Sequence, residues 1–521
     1  MTAPAASAPP EHPLALDHAR FTAEPGRHVG VIDIGSNSVR LVVYDQLSRA
    51  PFPRFNEKAL CRLGARRGED GSLAPAAIDH ALRTVERFFT ISRAMGVERI
   101  DVLATEAVRR APNGDTLIEG IRERCGAETR CLSGDEEAAY SALGVVAGFH
   151  RPQGLMGDLG GGSVEIAEVL DDRVGARRVS LPLGSLPVAA LLAEGHGAAK
   201  KQVDTLVRDA LPPMLTRPVF YAVGGGWRAI ARVALAREAP LCRATHGFAL
   251  SARAARTLAK EIARAAPEDL AAMPGVPARR LSTLSAAALV LDRILKALKP
   301  ERVVFSSLGL REGWLYGLLS ETERGRDPLV EGAQTFGTPR ARVPAFAAAL
   351  VRFTDTLFPG EDMAERRLRL AAAALSDIAW REQGGNRAGE AFRRVLHLPF
   401  VGLDHAERVF LAAVLHARHG GKPEDPVLAG AEAYLSASLL RRAQILGRAL
   451  QLGYRFSGSV PAILDRAHLD IGTDRDAPCA RPRARPGRGA GDDRSAEGDR
   501  AGGWRPWRPV PPARQARGTG R

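Results

Sequence analysis

The chain has 521 residues, 45% of them hydrophobic, and a formal net charge of +14, which is enough for about three domains of ~150 residues with buried cores. From Asp474 to Arg521 there are 12 Arg against 6 Asp and Glu, so +6 of the charge sits in the tail, and the excess elsewhere fits a polyanion groove without demanding one. Five cysteines with no CxxC pair argue against a disulfide framework or a structural zinc site and for a reducing cytoplasm; there is no secretory signal and no run of about 18 apolar residues, so no membrane partner is expected.

Residues 1–27 are Ala/Pro-rich and expected to be disordered. HVGVIDIGSNSVRLVVYD (28–45) reads as strand, tight turn, strand. A helix is expected over 76–95, a strand over 99–104, and helices over most of 105–124 and over 134–147. The unit then restarts. LMGDLGGGSVEIAEVL (155–170) is again strand, Gly-rich turn, strand, with helices at 185–195 and 198–211. A strand runs into a helix through Gly224, Gly225 and Gly226 over 219–235. Helices fill 250–297, and a last strand and helix occupy 302–319. The expected domains are therefore lobe I (28–150), lobe II (151–322) and an all-helical unit (323–472). After that the composition collapses into Arg, Pro and Gly over 473–521, a tail expected to be disordered and with the look of a frame-shifted end of a GC-rich gene.

Gly160, Gly161 and Gly162 discard side chains that could have packed a core. Glycine reaches the backbone angles that turn several amides toward one anion, so this loop reads as a phosphate cradle with Ser163 as a further donor. Gly35, Ser36, Asn37 and Ser38 can do the same from the first lobe. Asp33 and Asp158 each stand two residues before a glycine in D-x-G. A carboxylate ~4 Å from a phosphate is repelled by roughly 4 kcal/mol at an effective dielectric of ~20, so two of them at one site imply a divalent cation. Oxygen ligands and a phosphate favour Mg²⁺, with Glu165 joining through water. One D-x-G alone is ordinary hairpin punctuation; its recurrence about 125 residues later is not. Gly224–Gly226 either line the cleft or let a helix pack closely on its strand.

Five stretches in order, VGVIDIGSNSVRLVV, ATEAVRRA, LSGDEEAAYSALGV, GDLGGGSVEIAEV and VVFSSLGLREGWLY, resemble the exopolyphosphatase / guanosine pentaphosphate phosphatase family. The resemblance implies an α/β fold of two ribonuclease H-like lobes, of the actin, Hsp70 and sugar-kinase superfamily, followed by a helical HD-like domain. It implies Mg²⁺-dependent hydrolysis of the terminal phosphoanhydride of inorganic polyphosphate. The family's S-G-x-E-E-A motif falls on Ser133–Ala138 and makes Glu137 the catalytic base, where helix-dipole preference alone would explain only one of the two glutamates. Its A-T-x-x-x-R motif makes Arg109 a phosphate-binding arginine. A homodimer is the family expectation.

The HD-like signature is broken, because Ser376 stands where histidine is expected before Asp377. His397, His405, His416 and His419 form no convincing metal spacing, so that domain reads as a binding or dimerisation scaffold. The rival activity is a guanosine pentaphosphate 5′-phosphatase using the same site; the rival class is a non-catalytic polyphosphate or nucleotide sensor, which should have lost Glu137, Asp158 or the glycine loops. No specific nucleic-acid partner is expected, since Arg/Gly/Pro runs bind polyanions unspecifically.

Overall fold

The computed structural model describes residues 14–17, 27–64, 70–211, 217–238, 240–471 and 480–484. In lobe I, β1 (His28–Ile34), β2 (Val39–Tyr44) and β3 (Pro53–Ala59) form an antiparallel meander, and β4 (Val97–Ala104) and β5 (Thr129–Cys131) extend the other side of β1 in parallel. Lobe II repeats the plan. Here β6 (Gln153–Leu159), β7 (Val164–Leu170) and β8 (Arg173–Leu181) are antiparallel, with β9 (Val219–Val223) and β11 (Arg302–Phe305) parallel to β6 and β10 (Ala249–Ser251) added at the edge. The order β3-β2-β1-β4-β5 corresponds strand for strand to β8-β7-β6-β9-β11, with β10 as an extra edge, so the duplicated layout expected from sequence is a duplicated topology.

Central strands β1 and β6 are near-continuous apolar runs because both faces are covered. The edge strands β3 and β8 are polar and half-exposed, PRFNEKA and RVGARRVSL. They carry no clean alternation, which is why the sequence reading passed over them, as it did over the three-residue β5 and β10.

The helices of the lobes include α1 (Pro75–Ala94), α2 (Gly114–Cys125), α3 (Gly134–Gly148), α4 (Ser185–Glu194), α5 (Gly225–Glu238), α6 (Leu281–Leu298) and α7 (Leu310–Gly317). Helix α3 opens with a capping box: the Ser133 N–H donates to Glu136 Oε2 (2.9 Å), and Ser133 Oγ accepts from the Glu136 N–H (3.2 Å). It crosses α7 where both have glycine. A Cβ on Gly313 would lie 1.7 Å from the Tyr140 carbonyl oxygen, and one on Gly144 would lie 2.3 Å from that of Gly309.

The other end of α3 is tied to its surroundings. Arg49 donates to the carbonyls of Ala147 (2.7 Å) and Val146 (3.2 Å). The Gly148 carbonyl accepts from the Gly402 N–H (2.7 Å) and from His246 Nε2 (2.9 Å). These partners come from lobe I, the helical domain and lobe II, so one helix end joins all three bodies.

The helical domain contains α8 (Pro328–Gly337), α9 (Phe346–Thr354), α10 (Met363–Ala374), α11 (Arg387–His397), α12 (His405–Arg418) and α13 (Ala437–Ser457) around an aliphatic and phenylalanine core. The fully buried Arg367 links it internally, donating to Asp327 Oδ2 (2.7 Å), Glu407 Oε1 (3.1 Å) and the Gly402 carbonyl. Leu14 and Leu16, from the segment expected to be disordered, pack on this core. A second departure lies in the tail, where Ala480–Ala484 pairs antiparallel with Ala467–Ile471. The remaining residues of both terminal segments fall outside the described residues. Cys61, Cys125, Cys131 and Cys242 are free thiols, and no helix among the described residues is long and apolar enough to cross a membrane.

The α3–α7 crossing gives the first prediction. Replacing helical Gly by Ala ordinarily stabilises by about 1 kcal/mol, but at Gly313 the new methyl meets a backbone carbonyl that cannot rotate away. Overpacking of this kind costs about 1–3 kcal/mol or more, so Gly313→Ala should be net destabilised, read as a lower midpoint in urea denaturation. An unchanged or raised midpoint would contradict the close crossing.

Candidate active site

Both D-x-G hairpin tips point into one cleft between the lobes. They are built alike: the Gly35 N–H donates to the Ser38 carbonyl (3.0 Å), and the Gly160 N–H donates to the Ser163 carbonyl (2.9 Å). The carbonyls of Gly160, Gly161 and Gly162 accept from the N–H groups of Ser185, Leu186 and Gly184 at the start of α4. That fixes the peptide planes of the loop. The two loops face each other closely enough that a Cβ on Gly161 would meet Ser36 Cβ at 2.9 Å. One on Gly162 would fall 2.0 Å from Glu106 Oε2, which also accepts from Ser36 Oγ (3.1 Å).

Strand register places the acids. Asp33 at the end of β1 stands opposite Arg40 on β2, and Asp158 at the end of β6 stands opposite Glu165 on β7. The equivalent hairpin position thus carries a cation in one lobe and a carboxylate in the other. Asp33 Oδ2 accepts from Arg311 Nη1 (2.7 Å) at the start of α7. Asp158 Oδ2 accepts from Ser141 Oγ on α3 (2.6 Å), and burial raises its pKa. Glu165, 3% exposed, accepts from Ser180 Oγ (2.9 Å). Burial, then the neighbouring Glu137, pushes its pKa well above the carboxylate range.

Glu137 lies in the first turn of α3 and is 7% exposed. Burial raises its pKa to about 7, against the pull of Arg109, whose guanidinium is ion-paired with it. A carboxylate poised there can hold or release a proton at neutral pH.

All the residues singled out from sequence line this cleft except two: Asp33, Gly35, Ser36, Asn37, Ser38, Glu137, Asp158, Gly160, Gly161, Gly162, Ser163, Glu165, Gly224 and Gly225 do so. Arg109 is placed on Glu137 and the Leu132 carbonyl instead of on the cleft wall. Gly226 packs against α6, where a Cβ would meet that of Ala287 at 2.9 Å. The third glycine run thus divides between the two alternatives. Gly224, at φ +102°, lies over Asp158 and the Leu159 carbonyl, Gly225 lies under Arg280, and Gly226 serves packing.

The sequence reading missed the cations. Arg40, Lys58, Arg228, Arg280 and Arg311 line the same cleft. Arg40 was findable, since a hairpin with Asp33 at its tip fixes what stands opposite. Arg311 lies inside the stretch VVFSSLGLREGWLY. Lys58 and Arg280 come from elements whose placement no local pattern specifies.

Among the described residues no three His, Cys, Asp or Glu side chains come together closely enough to cage a cation. Asp33, Asp158 and Glu165 surround the cleft, each already holding one hydroxyl or guanidinium donor. That donor set suits a hard cation that keeps most of its waters and shares phosphate oxygens, as Mg²⁺ does. In the helical domain Asp377 is bound by Arg342 (2.9 Å) and Arg418 (3.3 Å), and Ser376 Oγ donates to the Ala372 carbonyl (2.9 Å). Asp377, at the position of the expected HD signature, is thus paired with two guanidiniums.

Comparison with known proteins gives the family. Residues 42–322 match the model of the Ppx/GppA phosphatase family, and residues 329–480 match that described as exopolyphosphatase, C-terminal. Exopolyphosphatase 1 of Mycobacterium tuberculosis is 28% identical over 330 residues, covering 60% of this chain and 94% of its own. Retrograde regulation protein 2 of Saccharomyces cerevisiae is 24% identical over 435 residues, covering 75% of this chain and 72% of its own. The crystal structure of an exopolyphosphatase from Cytophaga hutchinsonii superposes with a TM-score of 0.50 at 22% identity, over 56% of this chain and 97% of that one. With the first family model covering more than half its length and the second its helical domain, this chain belongs to the Ppx/GppA phosphatase family of hydrolases.

Proposed function

We propose that the protein is an exopolyphosphatase, releasing orthophosphate from the end of inorganic polyphosphate. The observation that carries this reading is Glu137, buried with a pKa near neutrality between two facing glycine loops. Backbone amides of the loops, with Ser36, Asn37 and Ser163, hold the terminal phosphate. Glu137 orients a water and takes its proton as the oxygen attacks phosphorus; the anhydride P–O bond on the far side breaks, and the shortened chain leaves. Arg109 fixes the Glu137 carboxylate. Arg228 and Arg311 face the developing negative charge, and positioning with electrostatics accounts for most of the acceleration in such transfers. A Mg²⁺ held by Asp33 and Asp158, with Glu165 acting through water, would neutralise charge on the phosphate oxygens.

Polyphosphate is favoured over guanosine pentaphosphate by the wall itself. Arg40, Lys58 and Arg280 offer a succession of cations, and no aromatic ring among the described residues lines the cleft to stack on a guanine. The homodimer belongs to the same reading. Met363, Leu439, Ile445, Phe456, Val460 and Ile463, six of the seven large exposed apolar side chains among the described residues, lie on the helical domain.

Four expected outcomes test the proposal. Glu137→Gln keeps the shape and removes the base, so phosphate release from polyphosphate should fall about 10²–10⁴-fold in kcat with KM little changed; retained turnover would sink the assignment. Hydrolysis needs ionised Glu137, so wild-type activity should climb as pH rises through about 7. Arg109 holds that pKa down, so in Arg109→Ala the acid limb of the pH–rate profile should move to higher pH, and in Arg109→Lys it should move less. Lys58→Ala should raise KM for long polyphosphate several-fold at low salt, with kcat unchanged and the difference shrinking in about 0.5 M salt, where the Debye length is only a few ångströms.

A further inference from the structure

Arg40, Arg228 and Arg311 line the catalytic cleft and also a second cavity. The latter, about 290 Å³ against about 190 Å³ for the cleft, is walled by lobe I, lobe II and the helical domain together. Arg49 and Arg232 also reach it. Its one carboxylate, Glu312, is engaged by the Tyr44 hydroxyl (2.5 Å) and the Gly309 N–H (2.9 Å). The cavity is therefore strongly cationic.

Three residues of its wall each carry a fully buried polar atom without a hydrogen-bond partner: Ser48 Oγ, Arg49 Nε and Arg311 Nε, the last 4.0 Å from Glu312 Oε1. Ser48 is 3% exposed and Arg49 5%. Buried polar groups are almost always paired, and here three that are not lie in residues of one wall. Apolar surface from Val42, Leu315, Pro399 and Val401 completes the lining, as in pockets that seat an organic group beside a few convergent polar ones.

We propose that this cavity is a second anion-binding site, for a phosphate-bearing small molecule, and that its occupancy is felt at the catalytic cleft through Arg311. The same side chain holds Asp33 by Nη1, lies with its Nε 4.0 Å from Glu312 Oε1, and lines both cavities. Arg49 adds a second connection, because it caps the helix whose first turn carries Glu137. Orthophosphate or the phosphates of a nucleotide are drawn by the same guanidiniums; only a nucleotide uses the apolar wall.

The test is calorimetric titration of the full chain with orthophosphate and with GDP. Arg232→Glu reverses a charge at an exposed rim position, Val401→Trp fills the cavity, and Gly161→Val blocks the cleft by driving a side chain onto Ser36. Two classes of site are expected in the wild type. Arg232→Glu and Val401→Trp should weaken one of them by about tenfold, equal to ~1.4 kcal/mol, and Gly161→Val should retain that one. GDP binding tighter than orthophosphate assigns the site to nucleotides; equal or weaker binding assigns it to orthophosphate. Unchanged affinities in Arg232→Glu, or loss of all binding in Gly161→Val, would overturn the proposal. Should Val401→Trp not fold, the exposed Arg232→Glu still decides. Because binding is read directly, the result stands apart from whether polyphosphate is the substrate. Ligand at this site should also change the hydrolytic rate non-competitively in the wild type and not in Arg232→Glu.

Discussion

One helix bears most of the structural load. The first turn of α3 presents Glu137 to the cleft, its second holds Asp158 through Ser141, and its last carbonyls are bound by Arg49, His246 and Gly402. Between these ends it crosses α7 at a distance that only glycine allows. Burial pushes the His246 pKa down to about 4, so the ring is neutral at physiological pH. Its Nε2–H donates to the Gly148 carbonyl, and its Nδ1 accepts from the Ser307 N–H (3.3 Å). Any relative movement of the lobes or the helical domain is therefore imposed on the helix that carries the proposed base.

The cleft balances carboxylates and guanidiniums at low solvent exposure. Burial raises the pKa of Glu137, Asp158 and Glu165 alike. Arg109 partly opposes this at Glu137, while Arg311 pairs with Asp33. Arg228 is itself lowered to about 10 by burial and by Arg311. Such a site is costly to keep as it stands, since buried charges of both signs are only partly paired.

In the helical domain two arginines converge on one buried aspartate. Asp377 sits between Arg342 and Arg418, and both guanidiniums also lie over the Tyr454 ring (4.8 and 3.7 Å). A paired, stacked carboxylate of this kind is a packing element. The domain's larger effect on the site is indirect, through Gly402, which reaches the end of α3 while Arg367 grips its carbonyl.

How far the sequence could be read differed from element to element. The two D-x-G hairpins, the Ser133 capping box and the glycine cradles are local, since turn chemistry, strand composition and cap spacing are decided within a few residues. The sequence alone therefore determined the duplicated α/β layout, the loops that would meet a phosphate and the helix that would carry Glu137. Only the tertiary structure decided that Arg109 binds Glu137 and not the cleft wall, that Gly226 serves packing while Gly224 and Gly225 face the cleft, and that Lys58, Arg228 and Arg280 converge on the site. The physical reason is that a long cationic side chain follows charge and space across elements far apart in the chain, and no short-range pattern encodes which carboxylate or cavity it will find.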